Sequence, residues 1–212
     1  MTVSRNISSL LLLSLSYIGW IKFPLEGDAV YGADYVWRLI MLVIIWQERA
    51  VLLAEPVWPA LRFWFIFALF FLVMFIAHQW LYYFQFTYDL ENYFYTPARY
   101  PPIKNSLLLV FDMSIGLALV AITEEFIFRY KLNDWLAEKQ VGLFTRGLLT
   151  SLLFAFMHAP QGVIAIGENF FWGLFLFIVY QKTKSLHFVI VLHFITNFIL
   201  FGLMALESPA WN

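Results

Sequence analysis

The stretch from Ser185 to Leu206, SLHFVIVLHFITNFILFGLMAL, carries no Asp, Glu, Lys or Arg. A bilayer core of about 30 Å needs about 20 helical residues, so this stretch is long enough to cross. Two more windows, Phe63 to Tyr88 and Gly147 to Gly167, are equally free of those charges, although His78, His158, His187 and His193 fall inside the three. Asn105 to Thr123 is interrupted only by Asp112, and Asn169 to Gln181 is apolar but short unless it begins earlier. Asn6 to Ile21 follows Arg5 and reads as a first, uncleaved helix, because no small-x-small cleavage site follows it and more spans do. Val30 to Trp46 holds Asp34 and Arg38, whose i,i+4 spacing lets them pair on one helix face. About seven spans result. The predicted fold is an all-α, polytopic transmembrane helix bundle forming a single integral membrane domain over 1–212. Within it, 1–104 holds N-terminal spans of unassigned role and 105–206 carries the polar motifs.

Composition agrees. Of the 212 residues, 62% are hydrophobic and only 13% charged, against roughly a quarter charged in soluble domains. The mean hydropathy is +0.76. Aromatic residues make up 21%, which suits contact with lipid tails and with both interfaces. A net charge of -1 offers no basic surface to neutralise phosphates, so a nucleic-acid partner is not expected. The chain has no Cys, which removes disulfides, thiolate nucleophiles, iron-sulfur clusters and sulfur-ligated zinc. With Arg5 in the cytoplasm, alternation puts nine basic residues on that side and three, Lys22, Arg99 and Lys104, outside. This bias predicts a cytoplasmic N-terminus. Tyr130 to Arg146, with Trp135 and Leu136, reads as a cytoplasmic segment able to form a short amphipathic helix.

Ionisable groups inside a span are costly, and their default reading is functional. In Thr123-Glu124-Glu125-Phe126-Ile127-Phe128-Arg129, Glu125 and Arg129 are i,i+4 with the acid first and can pair, while Glu124 points about 100° away and keeps its carboxylate free. Phe154-Ala155-Phe156-Met157-His158 ends at an interruption by Pro160. His193 and Asn197 are again i,i+4 and present two hydrogen-bonding groups from one face. Each has a plainer reading: a helix meeting water, a core histidine, a helix-helix hydrogen bond. Asp112 reads as interfacial or structural. Taken together, one free carboxylate, two His and one Asn from three helices can hold and activate water and stabilise an oxyanion, with peptide hydrolysis the natural reaction class.

Glu124-Glu125-x-x-x-Arg129, Phe154-x-x-x-His158 and His193-x-x-x-Asn197, in that order over Asn105 to Leu206, resemble the CAAX prenyl endopeptidase and bacteriocin-processing family, also called the CPBP or Abi family, of intramembrane glutamic proteases. The resemblance implies water activation by Glu124 with His158, oxyanion stabilisation by His193 and Asn197, and support from Glu125 and Arg129. It implies no cofactor, and a membrane-associated peptide or protein as substrate. One departure is Phe177, one turn after Gly173, where many relatives carry a second small residue. The chain is expected in a prokaryotic inner membrane, with the lipid bilayer as its other partner. The alternatives are a zinc protease ligated by Glu124, His158 and His193, and a non-enzymatic membrane protein such as an immunity protein, scaffold or small transporter.

Depth poses a problem. At 1.5 Å per residue, Glu124 lies about 7.5 Å inside Arg129, His193 about 13.5 Å inside Lys184 and His158 about 18 Å inside Arg146. The mismatch predicts that the fifth span tilts, or that Gly142 to Arg146 dips toward the membrane as a loop, leading to a water-filled cavity open to the cytoplasm.

Overall fold

The computed structural model describes residues 25, 27–87 and 103–207, and among them every regular element is helical. Helix α1 spans Ala29–Ile45 and continues through a short turn into Arg49–Leu52. Helix α2 is Leu61–Thr87 and α3 is Ser106–Glu138. Helix α4 is Leu143–Phe156, α5 is Val163–Thr183 and α6 is Leu186–Glu207. Among the described residues, four helices are long and apolar enough to cross a membrane: Leu61–Leu81 of α2, Ser106–Glu138, Val163–Thr183 and Leu186–Leu203 of α6. Helix α4 is apolar but shorter. Helix α1 occupies the expected second span, with its own charges buried or half-buried. The expected first helix, Asn6 to Ile21, lies outside the described residues.

Helix α3 extends well past the point where its charges suggest an end. Asn105 caps it, its side chain accepting from the backbone N–H of Leu107 and Leu108 at 2.9 and 3.2 Å. It then runs to Glu138, with wider π-helical turns at Asp112–Gly116 and Phe126–Leu132. Arg129 and Lys131 do not mark a membrane edge, because both are buried by partners: Arg129 by Glu125 on its own helix and Lys131 by Glu48. The segment expected as a separate surface helix, around Trp135 and Leu136, is instead the last part of α3. Measured from exposed Lys139, Glu124 lies roughly 22 Å along the helix, nearer the depth of His158 than before, while His193 remains the shallower of the three.

The expected re-entrant loop is not present. Helix α4 starts at Leu143, and the Arg146 amide already donates to the Gly142 carbonyl at 2.9 Å. The interruption falls instead beyond its other end. The predicted span Gly147 to Gly167 breaks after Phe156, at a tight turn over Ala159–Gln161 containing Pro160. Gly162, at φ 110°, then adopts a backbone conformation that side chains rarely permit. Helix α5 therefore begins at Val163, which gives the short sixth span its missing length.

Helices α4 and α5 pack closely through two glycines. A Cβ on Gly173 would sit 3.2 Å from the Ser151 backbone, and one on Gly147 would sit 2.9 Å from the Phe177 ring. The bulky Phe177 is thus matched by a glycine on the facing helix. The core lies between α3, α4, α5 and α6, around Phe126, Phe154, Leu176, Phe188 and Leu192. Phe70 ties α2 to it by stacking on Phe175, with centroids 4.1 Å apart and planes at 4°. At one end, His187 Nε2 donates to the Leu52 carbonyl at 2.9 Å, while Asn133 Oδ1 accepts from Arg146 at 3.2 Å and Gln181 at 3.0 Å. These bonds gather segments bearing Arg49, Lys131, Arg146, Lys182 and Lys184.

Candidate active site

The site begins with two consecutive carboxylates on α3 that the helix turns toward different partners. Glu125 is fully buried; its Oε2 lies 3.0 Å from Arg129 Nε and its Oε1 2.7 Å from His193 Nδ1. Since a carboxylate only accepts, Nδ1 carries the proton in that bond and the imidazole ring is held by it. The His193 Nε2 then faces Glu124, 3.9 Å from its Oε2. Such a gap is too long for a direct hydrogen bond but is within the reach of one shared water.

Glu124 is not free, as its position on the helix had suggested. Arg38 Nη2 donates to its Oε1 at 2.8 Å and Arg38 Nη1 to the neighbouring Thr123 hydroxyl at 2.9 Å. Asp34, one turn earlier on α1, holds Arg38 Nε at 3.3 Å, so the i,i+4 pair anticipated within α1 forms and also reaches across to α3. The other oxygen, Oε2, is buried and makes no hydrogen bond among the described residues. Local periodicity could not reveal the Arg38 contact, because its partner lies 86 residues away. The available signal was an arginine in an apolar helix.

His158 follows the last turn of α4, and its Nδ1 donates to the Phe154 carbonyl at 2.9 Å, leaving Nε2 as the basic nitrogen of the neutral ring. Phe154 brings the pieces together. Its buried ring lies 4.9 Å from the His158 ring, 6.0 Å edge-on from that of His193, and 4.5 Å from the Arg129 guanidinium carbon. Both His158 and His193 lie near enough to Glu124 to interact with its charge. Asn197 is half-buried one turn beyond His193 and makes no hydrogen bond among the described residues. Glu124, Glu125, Arg129, His158 and His193 are thus brought into one cluster, with Asn197 beside it on α6. Among the described residues no group of three or more His, Asp or Glu is arranged to hold a metal ion.

Residues 106–199 match the family model of type II CAAX prenyl endopeptidases, Rce1-like. This region resembles that family. The match runs from α3 into α6, somewhat under half of the chain, and agrees with the resemblance carried by the three motifs. It supports a CAAX-type intramembrane endopeptidase, a hydrolase, in general terms. No curated protein and no solved structure matches the chain. Every motif residue falls within the Rce1-like region, while Asp34 and Arg38, which complete the cluster, do not.

Proposed function

We propose that the protein hydrolyses a peptide bond of a membrane-associated, CAAX-type substrate, with water activated by Glu124. The observation that carries this reading is the division of labour on one carboxylate: Oε1 is held by Arg38, and buried Oε2 faces His193 Nε2 at 3.9 Å. A water bound at Oε2, with His158 Nε2 as its second acceptor, is oriented and polarised for attack on a carbonyl carbon. Its proton passes to Glu124 as the carbon-oxygen bond forms. The resulting oxyanion is met by Asn197 and by His193 when Nε2 carries a proton. Collapse breaks the carbon-nitrogen bond, and the proton on Glu124 goes to the leaving amine. Glu125 and Arg129 act behind this chemistry by fixing the His193 ring.

The membrane setting supports the same reading, because three carboxylates and two guanidinium groups gathered at span depth are expensive to keep for packing alone. The test is cleavage of a farnesylated peptide ending in a CAAX sequence by the full chain in proteoliposomes, with products identified by mass spectrometry. Glu124→Gln keeps an acceptor for Arg38 and the side-chain shape, so the protein should fold while its rate falls by about 10² to 10⁴. A folded Glu124→Gln variant that cleaves at the wild-type rate would overturn the proposal.

A further inference from the structure

Arg38 stands outside the Rce1-like region, on a helix to which no motif pointed, yet it is the cation in contact with Glu124. We propose that Arg38 is a positioning residue of the active centre, acting through Glu124 to fix which carboxylate oxygen receives the water. The proposal rests on the reading of Glu124 as the base.

Three contacts from three nitrogens determine the orientation of the guanidinium. Nε is held by Asp34 at 3.3 Å from within α1, Nη1 by the Thr123 hydroxyl at 2.9 Å and Nη2 by Glu124 Oε1 at 2.8 Å. A planar group held at three corners has little freedom to turn, and the two contacts on α3 come from consecutive residues. The Thr123 hydroxyl is itself anchored, donating to the Leu119 carbonyl at 2.8 Å. An otherwise flexible glutamate is thereby held with Oε1 occupied and Oε2 turned toward α6. The groups facing Glu124 are Arg38 from α1, His193 from α6 and His158 from the turn after α4. Arg129 also interacts with the charge of Glu124, but Arg38 is the permanent cation that hydrogen-bonds to it. A lysine supplies charge at this place but not the fork, since its single ammonium cannot span Thr123 and Glu124 with the same geometry.

A merely structural ion pair between α1 and α3 would affect folding and leave the turnover of the folded protein alone. A positioning residue lowers kcat in folded protein with little change in KM. The experiment compares wild type, Arg38→Met, Arg38→Lys and Glu124→Gln in proteoliposomes, using the farnesylated peptide and thermal unfolding to select folded protein. The expected result is a fall in kcat of about 10²-fold for Arg38→Met, the scale of losing alignment at a reacting group. Arg38→Lys should fall between that variant and wild type, and added guanidinium ion at sub-denaturing concentration should restore part of the Arg38→Met rate. Should Arg38→Met fail to fold, Arg38→Lys decides: a lowered kcat supports positioning, and wild-type kcat overturns it. A folded Arg38→Met with wild-type kcat, or with a change confined to KM, also overturns it. Glu124→Gln separates the two claims. If that variant is inactive while both arginine variants turn over normally, Arg38 is structural and the base assignment stands; if it is active, the base assignment itself has failed.

Discussion

Removing the charge of Glu125 should destabilise the protein far more than removing it together with Arg129. Both side chains have no solvent exposure, and they lie 3.0 Å apart on one helix. Glu125→Gln leaves the guanidinium buried with the Phe154 ring at 4.5 Å, a contact worth about 2 kcal/mol that does not neutralise it, and with the charge of Glu124 acting from a greater distance. An orphaned buried charge costs about 3 to 5 kcal/mol, whereas replacing a whole buried pair is often close to neutral. The double variant Glu125→Gln, Arg129→Met should therefore recover most of the loss, giving a coupling of about 2 to 4 kcal/mol between the two sites. Reversible unfolding in mixed detergent micelles, followed by the fluorescence of the nine Trp, measures each corner of this cycle. Additive single effects, or a Glu125→Gln variant as stable as wild type, would refute the reasoning, because Glu125 and Arg129 would then not depend on each other for their burial.

Three further outcomes are expected. Asn197→Ala should lower kcat by about 10² to 10³, or roughly 2.7 to 4 kcal/mol, with KM little changed, as for the loss of an oxyanion donor. Asn197→Asp should be at least as damaging, and substantial activity in that variant would leave a helix-helix role instead. Gly147→Ala should cost about 1 to 3 kcal/mol by pressing a methyl group onto the Phe177 ring, and adding Phe177→Leu should return part of it in the same unfolding assay. With no native Cys, single cysteines replacing Lys139 and Lys182 should react only with reagents that reach the cytoplasm, and one replacing Arg99 only with reagents outside; labelling of position 139 from outside would reverse the proposed orientation.

What could be read from the sequence was what depends on neighbours in the chain. The Glu125 and Arg129 pair, the Asp34 and Arg38 pair and the break at Pro160 all follow from spacings of a few residues. The all-helical bundle follows from runs of apolar sequence. The contact of Arg38 with Glu124 depends on how α1 packs against α3, and helical periodicity contains nothing about that. The same is true of Glu168 on α5, whose carboxylate lies 2.9 Å from His78 on α2. The length of α3 is hidden for a related reason: a charge next to an apolar run marks the membrane surface only if no partner buries it, and Arg129 and Lys131 both have partners. Phe177 illustrates the reverse case, since a large residue where a small one was expected is compensated on the opposite helix.

Helix α4 has 14 residues, about 21 Å of rise against about 30 Å of hydrocarbon. With the Arg146 end of α4 at the membrane surface, as the proposed orientation has it, the shortfall is a hydrophobic mismatch at the end of the helix that leads into His158 and the turn through Gly162. Backbone that is not helical is tolerated at that depth only against protein or water, so lipid around the turn is driven to thin, at a cost of fractions of a kcal/mol per ångström. The thickness of the bilayer thereby becomes linked to how closely water approaches His158. Shorter acyl chains relieve the deformation and longer ones increase it, which makes lipid composition a determinant of this site alongside its side chains.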